Sequence, residues 1–201
     1  MSPKFAQFII GIPVFLWALS FHEFCHGYAA YKLGDPTAKL DGRLSLNPLA
    51  HFDWVGGICL LLFHFGWAKP VPINPYYFKK PKRDLILVSL AGAAGNILTA
   101  FISVQLFVRF PQLFSSFGAH LFMLLMIRMN VGLAAFNLIP LPPLDGSRVL
   151  YVLLPKSGQR FFDLLERYGT LIILILVVTD VLPYLMHPYM ELIINLIGLG
   201  L

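Results

Sequence analysis

Residues 5–30 read FAQFIIGIPVFLWALSFHEFCHGYAA, an apolar run in which Glu23 is the only carboxylate. A helix that crosses a bilayer needs about 20 predominantly apolar residues, so this stretch predicts a membrane-spanning helix. The run is too long for the hydrophobic part of a signal peptide and lacks a small-residue cleavage site, so we expect it to be retained. We therefore expect the fold to include a helix that spans the lipid bilayer.

The whole chain has the composition of a membrane protein. Hydrophobic residues make up 58% of its 201 positions and charged residues 12%, whereas soluble domains have about 45–50% and about 25%. Besides the first run, at about 5–31, the apolar pattern predicts spans at about 84–110, 117–139 and 168–186. We expect an all-α integral membrane protein, a multi-span helical bundle that forms a single domain over residues 1–201.

The connection between the first two spans has a different pattern. Residues 39–51 alternate apolar and polar side chains around a glycine, which predicts a small membrane-associated β-hairpin. Residues 54–65 are apolar but too few for a comfortable span, which favours a re-entrant segment after the first span. The prolines in residues 68–75 predict extended backbone.

Positive charge predicts the orientation. The net charge is +5, and the Lys and Arg residues lie in loops that flank apolar runs, which is typical of topology signals and not of nucleic-acid binding. If residues 54–65 do not cross, Lys4 and Arg109 lie on one side, Arg128 lies within a span, and the others share the opposite side. The positive-inside rule makes that crowded side cytoplasmic. We expect a multi-pass protein of the cell membrane, in contact with the lipid bilayer, with its N-terminus outside and no nucleic-acid partner.

The motif His22-Glu23-Phe24-Cys25-His26 brings chemistry into the first span. Positions i and i+4 share one helix face, so both imidazoles can reach one metal ion. Catalytic zinc takes three protein ligands and a water, and Glu23 is placed to accept a proton from that water. Ionisable residues in lipid are costly and are functional by default. The spacing predicts a Zn²⁺ site with His22 and His26 as ligands and Glu23 as catalytic base.

Asp145 is the best candidate for the third ligand. It follows a segment, residues 137–144, whose three prolines prevent a regular helix. Unwound backbone at membrane depth persists only where it is buried in protein or lines a cavity. In the predicted topology this segment ends on the cytoplasmic side, at a depth similar to that of His22, so the two halves of the site can meet.

Other residues remain as alternatives. Glu166 or Glu191 would be the third ligand in a different type of membrane metalloprotease. His51 is the isolated histidine with the best chance of approaching the site. Cys25 and Cys59 lie in apolar stretches and fit neither a disulfide framework nor a CxxC metal pattern.

The two motifs together resemble those of the site-2 protease family of intramembrane zinc metalloproteases. That family pairs H-E-x-x-H in one span with N-x-x-P-x-x-x-L-D-G in a later one, and the second pattern matches at Asn137, Pro140, Leu144, Asp145 and Gly146. The similarity covers most of the chain through about residue 150. It corresponds to a compact form without PDZ or CBS domains.

The resemblance implies a zinc metalloendopeptidase that cleaves transmembrane or membrane-bound proteins. It gives His22, His26 and Asp145 as zinc ligands and Glu23 as the base. A membrane metal transporter or sensor without hydrolysis is the alternative class, because transport sites also lie on broken helices near the midplane. That alternative leaves Glu23 without a clear task, and no inverted repeat is detectable.

Two asparagines match polar positions of the family near its site. The resemblance implies that Asn137 and Asn96 hold the substrate backbone or the developing oxyanion. For Asn96, a hydrogen bond across helices is an equally good interpretation. Ala93 departs from the family, because many relatives have Pro after Gly92.

Overall fold

The computed structural model describes residues 2–54, 56–57 and 68–198, and all regular structure in those ranges is helical. The α-helices with defined bounds are α1 (Pro3–Lys32), α2 (Thr37–Leu40), α3 (Pro81–Arg109), α4 (Phe117–Leu138), α5 (Asp145–Leu153), α6 (Lys156–Val178) and α7 (Leu182–Leu196). Short 3₁₀ turns lie at Pro48–Ala50, Pro75–Tyr77 and Pro111–Phe114. The prediction of an all-α protein is confirmed.

Helices α1, α3 and α4 are long and apolar enough to cross a membrane. Local signals set where they begin. The Ser2 hydroxyl accepts a hydrogen bond from the Phe5 N–H ahead of α1, and the Asp84 carboxylate accepts one from the Lys80 N–H ahead of α3. Such caps satisfy N–H groups that have no partner within the helix. The first three predicted spans are confirmed, and the protein is a multi-pass membrane protein.

Helices α1, α3 and α4 pack against one another, and α3 makes the most extensive contacts with the other two. Small residues on α3 permit the close approach: Gly92 and Gly95 face side chains of α1, while Ala93 and Ala100 belong to the core shared with α4 and α7. Membrane helices use small residues in this way because close backbone approach increases van der Waals contact. Ile193 of α7 is buried in the same core.

The connection between α1 and α3 begins and ends near the C-terminal end of α1. Phe78 packs against Ala30 near the end of α1 and Val88 near the start of α3. The buried Asp35 carboxylate accepts a hydrogen bond of 2.6 Å from the Asn74 N–H. Helices α1 and α3 are therefore antiparallel, and the connection begins and ends at one end of the bundle. The re-entrant segment predicted at residues 54–65 lies almost wholly outside the described residues.

The β-hairpin predicted for residues 39–51 is wrong, because this stretch consists of helical turns and bends. Gly42 has a φ of 65°, a left-handed conformation that glycine adopts without strain. The N–H groups of Arg43 and Leu44 both donate to the Ala38 carbonyl. Backbone groups that a strand ladder would pair are thus used within the stretch itself.

The prediction of one continuous span at residues 168–186 is wrong, because two helices meet at a break within this range. Helices α6 and α7 are bent by 92° at a short break, and they reach the length and hydropathy of a span only as a pair. Asp180 lies in the break with a φ of 55°. This conformation is unusual for a residue other than glycine, and it ends α6. The flanking residues are apolar on both sides, so hydropathy alone does not reveal the break.

Candidate metal centre

Helix α1 supplies two imidazoles that point the same way. His22 and His26 are separated by one helical turn, and their Nε2 atoms lie 3.0 Å apart. Both residues are buried, at 3% and 5% exposure. Two imidazole nitrogens at this separation, away from solvent, need either a proton or a metal ion between them to avoid repulsion of their lone pairs.

The carboxylate of Asp145 completes the cluster from the opposite side. Its Oδ2 atom lies 3.1 Å from His22 Nε2 and 3.0 Å from His26 Nε2. The chain reaches this point through the proline-rich turn after α4, and Asp145 is the first residue of α5. Gly146 must lack a side chain here, because a Cβ atom would overlap the Leu138 carbonyl. The Asp-Gly pair thus brings the carboxylate close to the end of α4.

The remaining ring nitrogens fix which tautomer each histidine adopts. His22 Nδ1 lies 2.7 Å from Asn96 Oδ1, and His26 Nδ1 lies 2.7 Å from the Val88 carbonyl. Both partners are acceptors, so each Nδ1 carries a hydrogen, and each Nε2 is the ring nitrogen that faces Asp145. Metal-bound histidines are commonly oriented by such an outer hydrogen bond. The site therefore offers two imidazole Nε2 atoms and one carboxylate oxygen to a metal ion.

Asn96 connects the centre to the rest of the bundle. It is fully buried, and its amide Nδ2 donates to the Ala18 carbonyl of α1 and to Asn130 Oδ1 of α4, each at 2.9 Å. The Ala18 carbonyl can only accept, which settles the orientation of the Asn96 amide and leaves Oδ1 for His22. The predicted hydrogen bonding of Asn96 across helices is present. The same residue also holds a candidate ligand, which the sequence did not indicate.

Gly92 is a second residue whose part in the site the sequence did not indicate. A Cβ atom at this position would overlap His26 Nε2 and the His22 ring, so the histidines occupy the space that a side chain would fill. Gly95, one turn further along α3, receives the Cys25 sulfur in the same way. The run of small residues at 91–95 indicates a close helix contact. The sequence does not indicate which side chains of α1 lie against this run, because that depends on how α1 packs on α3.

Glu23 lies beside the cluster and has a different partner. Its Oε2 atom accepts a hydrogen bond of 2.8 Å from the backbone N–H of Val71, in the segment at residues 68–74, which has no regular secondary structure. That segment is itself held in place: the Lys69 N–H donates to the His51 carbonyl, and the Arg43 guanidinium donates to the Lys69 carbonyl. The Glu23 carboxylate is thus oriented by a segment that is itself held by hydrogen bonds to its neighbours.

The hydrogen bonds given for Asn137 and His51 go to residues outside this cluster. The Asn137 amide donates to the Leu133 carbonyl of its own helix at 3.0 Å. His51 is buried and donates from Nε2 to the Ser45 carbonyl. Among the described residues, the group able to hold a metal consists of His22, His26 and Asp145, without Glu166 or Glu191.

This donor set fits zinc. Catalytic zinc sites combine three nitrogen or oxygen ligands from the protein with an open fourth position. Ligand distances of about 2.0–2.1 Å in a tetrahedron separate the ligand atoms by about 3.3 Å, close to the separations of 3.0 and 3.1 Å seen here. His22, His26 and Asp145 therefore need only small shifts to surround one ion.

A helical membrane bundle with this cluster defines a candidate membrane metalloprotein, and comparison with known proteins identifies the class as a metalloprotease. The model of the family described as Peptidase family M50 matches residues 111–178, which include Asn137 and Asp145. The Bacillus subtilis (strain 168) protein named "Putative zinc metalloprotease YwhC" is 41% identical over 180 residues, covering 87% of this chain and 82% of that protein. The chain belongs to peptidase family M50, the site-2 protease family, and is a zinc metalloprotease.

More distant relatives carry a similar name. "Putative zinc metalloprotease Rip2" of Mycolicibacterium smegmatis is 30% identical over 181 residues, covering 87% of this chain and 69% of that protein. The Rip2 protein of Mycobacterium tuberculosis (strain H37Rv) is 26% identical over 176 residues, covering 84% of this chain and 66% of that protein. No solved structure matches the chain.

Proposed function

We propose that this enzyme cleaves peptide bonds of transmembrane or membrane-bound proteins at a zinc site formed by His22, His26 and Asp145. The observation that carries this proposal is the convergence of three ligand atoms within 3.1 Å of one another, with both Nδ1–H groups engaged elsewhere. Zinc bound there would polarise the scissile carbonyl and lower the pKa of water toward about 7.

Glu23 is the proposed general base. One of its carboxylate oxygens accepts from the Val71 N–H, which leaves the other free to accept a proton from the attacking water. As the water oxygen bonds to the carbonyl carbon, the proton moves to Glu23. When the C–N bond breaks, Glu23 passes that proton to the leaving amine, so the carboxylate is regenerated. The fixed Val71 contact supports this role because a base has to be held in one orientation to act efficiently.

The two asparagines receive separate roles in this proposal. Asn96 is a positioning residue, since its Oδ1 accepts from His22 and its amide is fully used by α1 and α4. Asn137 remains the candidate for binding the substrate backbone or the oxyanion. It is partly buried at the last turn of α4, shortly before Asp145, and its amide bonds only within its own helix. A substrate carbonyl could therefore replace that local bond.

The proposed orientation has the N-terminus outside and the site toward the cytoplasm. Both segments that bear most of the positive charge, residues 79–83 and 148–167, follow connections at the same end of the bundle, and positive loops favour the cytoplasmic side. We retain the single domain over residues 1–201 as part of the proposal.

The decisive experiment uses Glu23→Gln in the purified protein, reconstituted with membrane-spanning peptides. We expect zinc content to stay near that of the wild type while cleavage falls by roughly a hundred- to ten-thousandfold. Glu191→Gln is the matched control, since Glu191 is exposed on α7 and pairs only loosely with His187, at 3.8 Å. Full cleavage by Glu23→Gln would refute the role of Glu23. Zinc binding without cleavage by the wild type would favour the transporter or sensor class.

A further inference from the structure

Helix α4 carries a charge that the metal site does not use. Arg128 lies close to the midpoint of α4 (Phe117–Leu138), and its side chain is exposed. It makes no hydrogen bond or ion pair with any other described residue. Charged side chains within a membrane span are costly, and they persist where a partner or an aqueous cavity compensates them. The protein as described contains no such partner for Arg128.

The hydrogen-bond network of the site gives the depth and direction of Arg128. Asn130, two residues further along α4, accepts from Asn96, which in turn accepts from His22. Two residues of helix correspond to a rise of about 3 Å and a rotation of about 200°. Arg128 therefore lies near the depth of the Asn96–Asn130 pair but on the opposite side of α4, facing away from the metal centre.

Arg128 belongs to a continuous stripe on α4. Residues separated by three or four positions share a helix face, and we define the α4 outer face by Phe117, Leu121, Leu124, Arg128 and Gly132. Each of these residues is exposed or partly exposed. A Cβ atom built on Gly132 would have no neighbour within 4 Å. Within the described residues, no packing contact therefore requires a glycine at this position. Small residues in membrane helices permit a second helix to approach closely.

The chemistry of a partner for Arg128 follows from which groups can neutralise an arginine near the middle of the membrane. Arg stays charged under all ordinary conditions and forms its strongest pairs with carboxylates or phosphates. The hydrocarbon layer is about 30 Å thick, so lipid phosphates are about 15 Å from its centre. Within the three candidate spans the chain's own carboxylates are Glu23, which belongs to the site, and Asp84, which pairs with Arg83. A second copy facing the same surface would bring two arginines together.

We propose that the α4 outer face binds a membrane-spanning helix of another protein that carries an Asp or Glu at mid-membrane depth. The carboxylate pairs with Arg128, and the helix backbone packs closely at Gly132. Because this surface lies across α4 from His22, the bound helix does not occupy the metal centre. The partner is therefore an associated membrane protein and not the peptide being cleaved.

The test uses the full-length protein in phosphatidylcholine vesicles with synthetic single-span helices of Leu and Ala. One guest helix has a central Asp, a second has Leu there, and a third has the Asp moved by two turns toward its end. Association is measured by energy transfer between labelled guest and labelled protein. We expect the wild type to bind the central-Asp helix at least tenfold more tightly than the other two. Arg128→Leu should abolish this preference and Arg128→Lys should keep part of it.

Arg109→Leu, at the end of α3, is the matched control and should leave the preference intact. Zinc content and cleavage of a reconstituted substrate should be unchanged in Arg128→Leu, which shows that its fold is retained. Equal binding of all three guests by the wild type would overturn the proposal without using any variant. Loss of the preference on replacing half of the lipid by phosphatidylglycerol would identify an anionic lipid headgroup as the partner. Self-association of the wild type that requires Arg128 would identify a second copy, and either result overturns the proposal.

Discussion

The candidate ligands are held by groups that do not themselves reach the metal. His22 presents Nε2 to the centre because Asn96 accepts its Nδ1–H, and Asn96 is locked by donating to α1 and α4. Such outer hydrogen bonds set the tautomer and the ring orientation of a ligand. Loss of the Asn96 acceptor frees the ring to rotate and to adopt the other tautomer.

Asn96→Ala is therefore expected to lower zinc affinity by roughly ten- to a hundredfold, the usual effect of removing such a partner. Asn96→Asp keeps an oxygen for the His22 Nδ1–H, and it should retain more affinity than the alanine variant. The measurement is the rate of zinc loss to a chelator, with the exposed Asn195→Ala as control. Unchanged zinc retention in Asn96→Ala would mean that His22 is oriented by packing alone.

Gly92 offers a steric test of the same centre. A methyl group there would occupy the position of the His22 and His26 rings, so Gly92→Ala should displace them and reduce bound zinc well below one ion per protein. Gly118→Ala makes the same chemical change on α4, where a Cβ atom has open space, and should retain zinc fully. Metal content of the two purified variants decides the matter. Equal zinc in both would show that α1 can shift away from α3.

The sequence could indicate the ligands but not what surrounds them. The spacing of His22 and His26 on one helix predicts that both reach a common point, whatever the rest of the fold. The proline-broken segment before Asp145 predicts irregular backbone at membrane depth. The contacts of Gly92 and Asn96 depend on the rotation of α3 against α1, and no local pattern encodes that angle. This is why Asn96 could be interpreted equally well as an oxyanion donor or as a helix contact.

At the scale of elements, the segment at residues 68–74 matters most. Pro72 disfavours the helical region for Val71, the residue before it, and the Val71 N–H donates to the Glu23 carboxylate. The Val71 side chain is also buried and would contact a Cβ atom at Gly27. The backbone donor and the side chain of Val71 can be separated by substitution.

Val71→Pro removes the N–H and preserves an extended backbone, whereas Val71→Ala keeps the N–H and removes packing. A hydrogen bond to a charged group contributes about 1.5–3 kcal/mol, so Val71→Pro should lower kcat by roughly ten- to a hundredfold. Its KM and zinc content should stay unchanged. Val71→Ala should keep its kcat and lose thermal stability instead. A rise in kcat for Val71→Pro would mean that the segment restrains Glu23 and does not align it.

The elements themselves differ in how well the sequence predicts them. The three long spans follow from long apolar runs with few charged residues, since a helix satisfies all of its backbone hydrogen bonds within one segment in lipid. The hairpin prediction at residues 39–51 failed because alternation of side chains says nothing about where the N–H groups of Arg43 and Leu44 donate. The break at Asp180 was missed because a left-handed residue between apolar neighbours leaves hydropathy unchanged.

At the scale of the whole molecule, the site depends on the relative direction of the spans. Helices α1 and α3 are antiparallel, and the turn between α3 and α4 is short, so α4 runs parallel to α1. His22 lies past the middle of α1, and Asp145 follows the end of α4. The two ligands therefore arrive from the same end of the bundle. If α1, α3 and α4 each cross the membrane once, we predict that residue 2 and the start of α6 lie on opposite sides of it.

This arrangement gives a topology prediction for a variant with Cys25→Ala and Cys59→Ala. A cysteine introduced at Ser2 should react with a membrane-impermeant thiol reagent on intact cells, whereas one introduced at Lys156 should react only after permeabilisation. The reason is that positive charge concentrates on the side of Lys156, and translocation of such loops is disfavoured. The reverse labelling would place the metal centre toward the outside. Equal labelling of both positions would mean an even number of crossings, and then α1 and α4 could not bring His22 and Asp145 to the same depth from the same end.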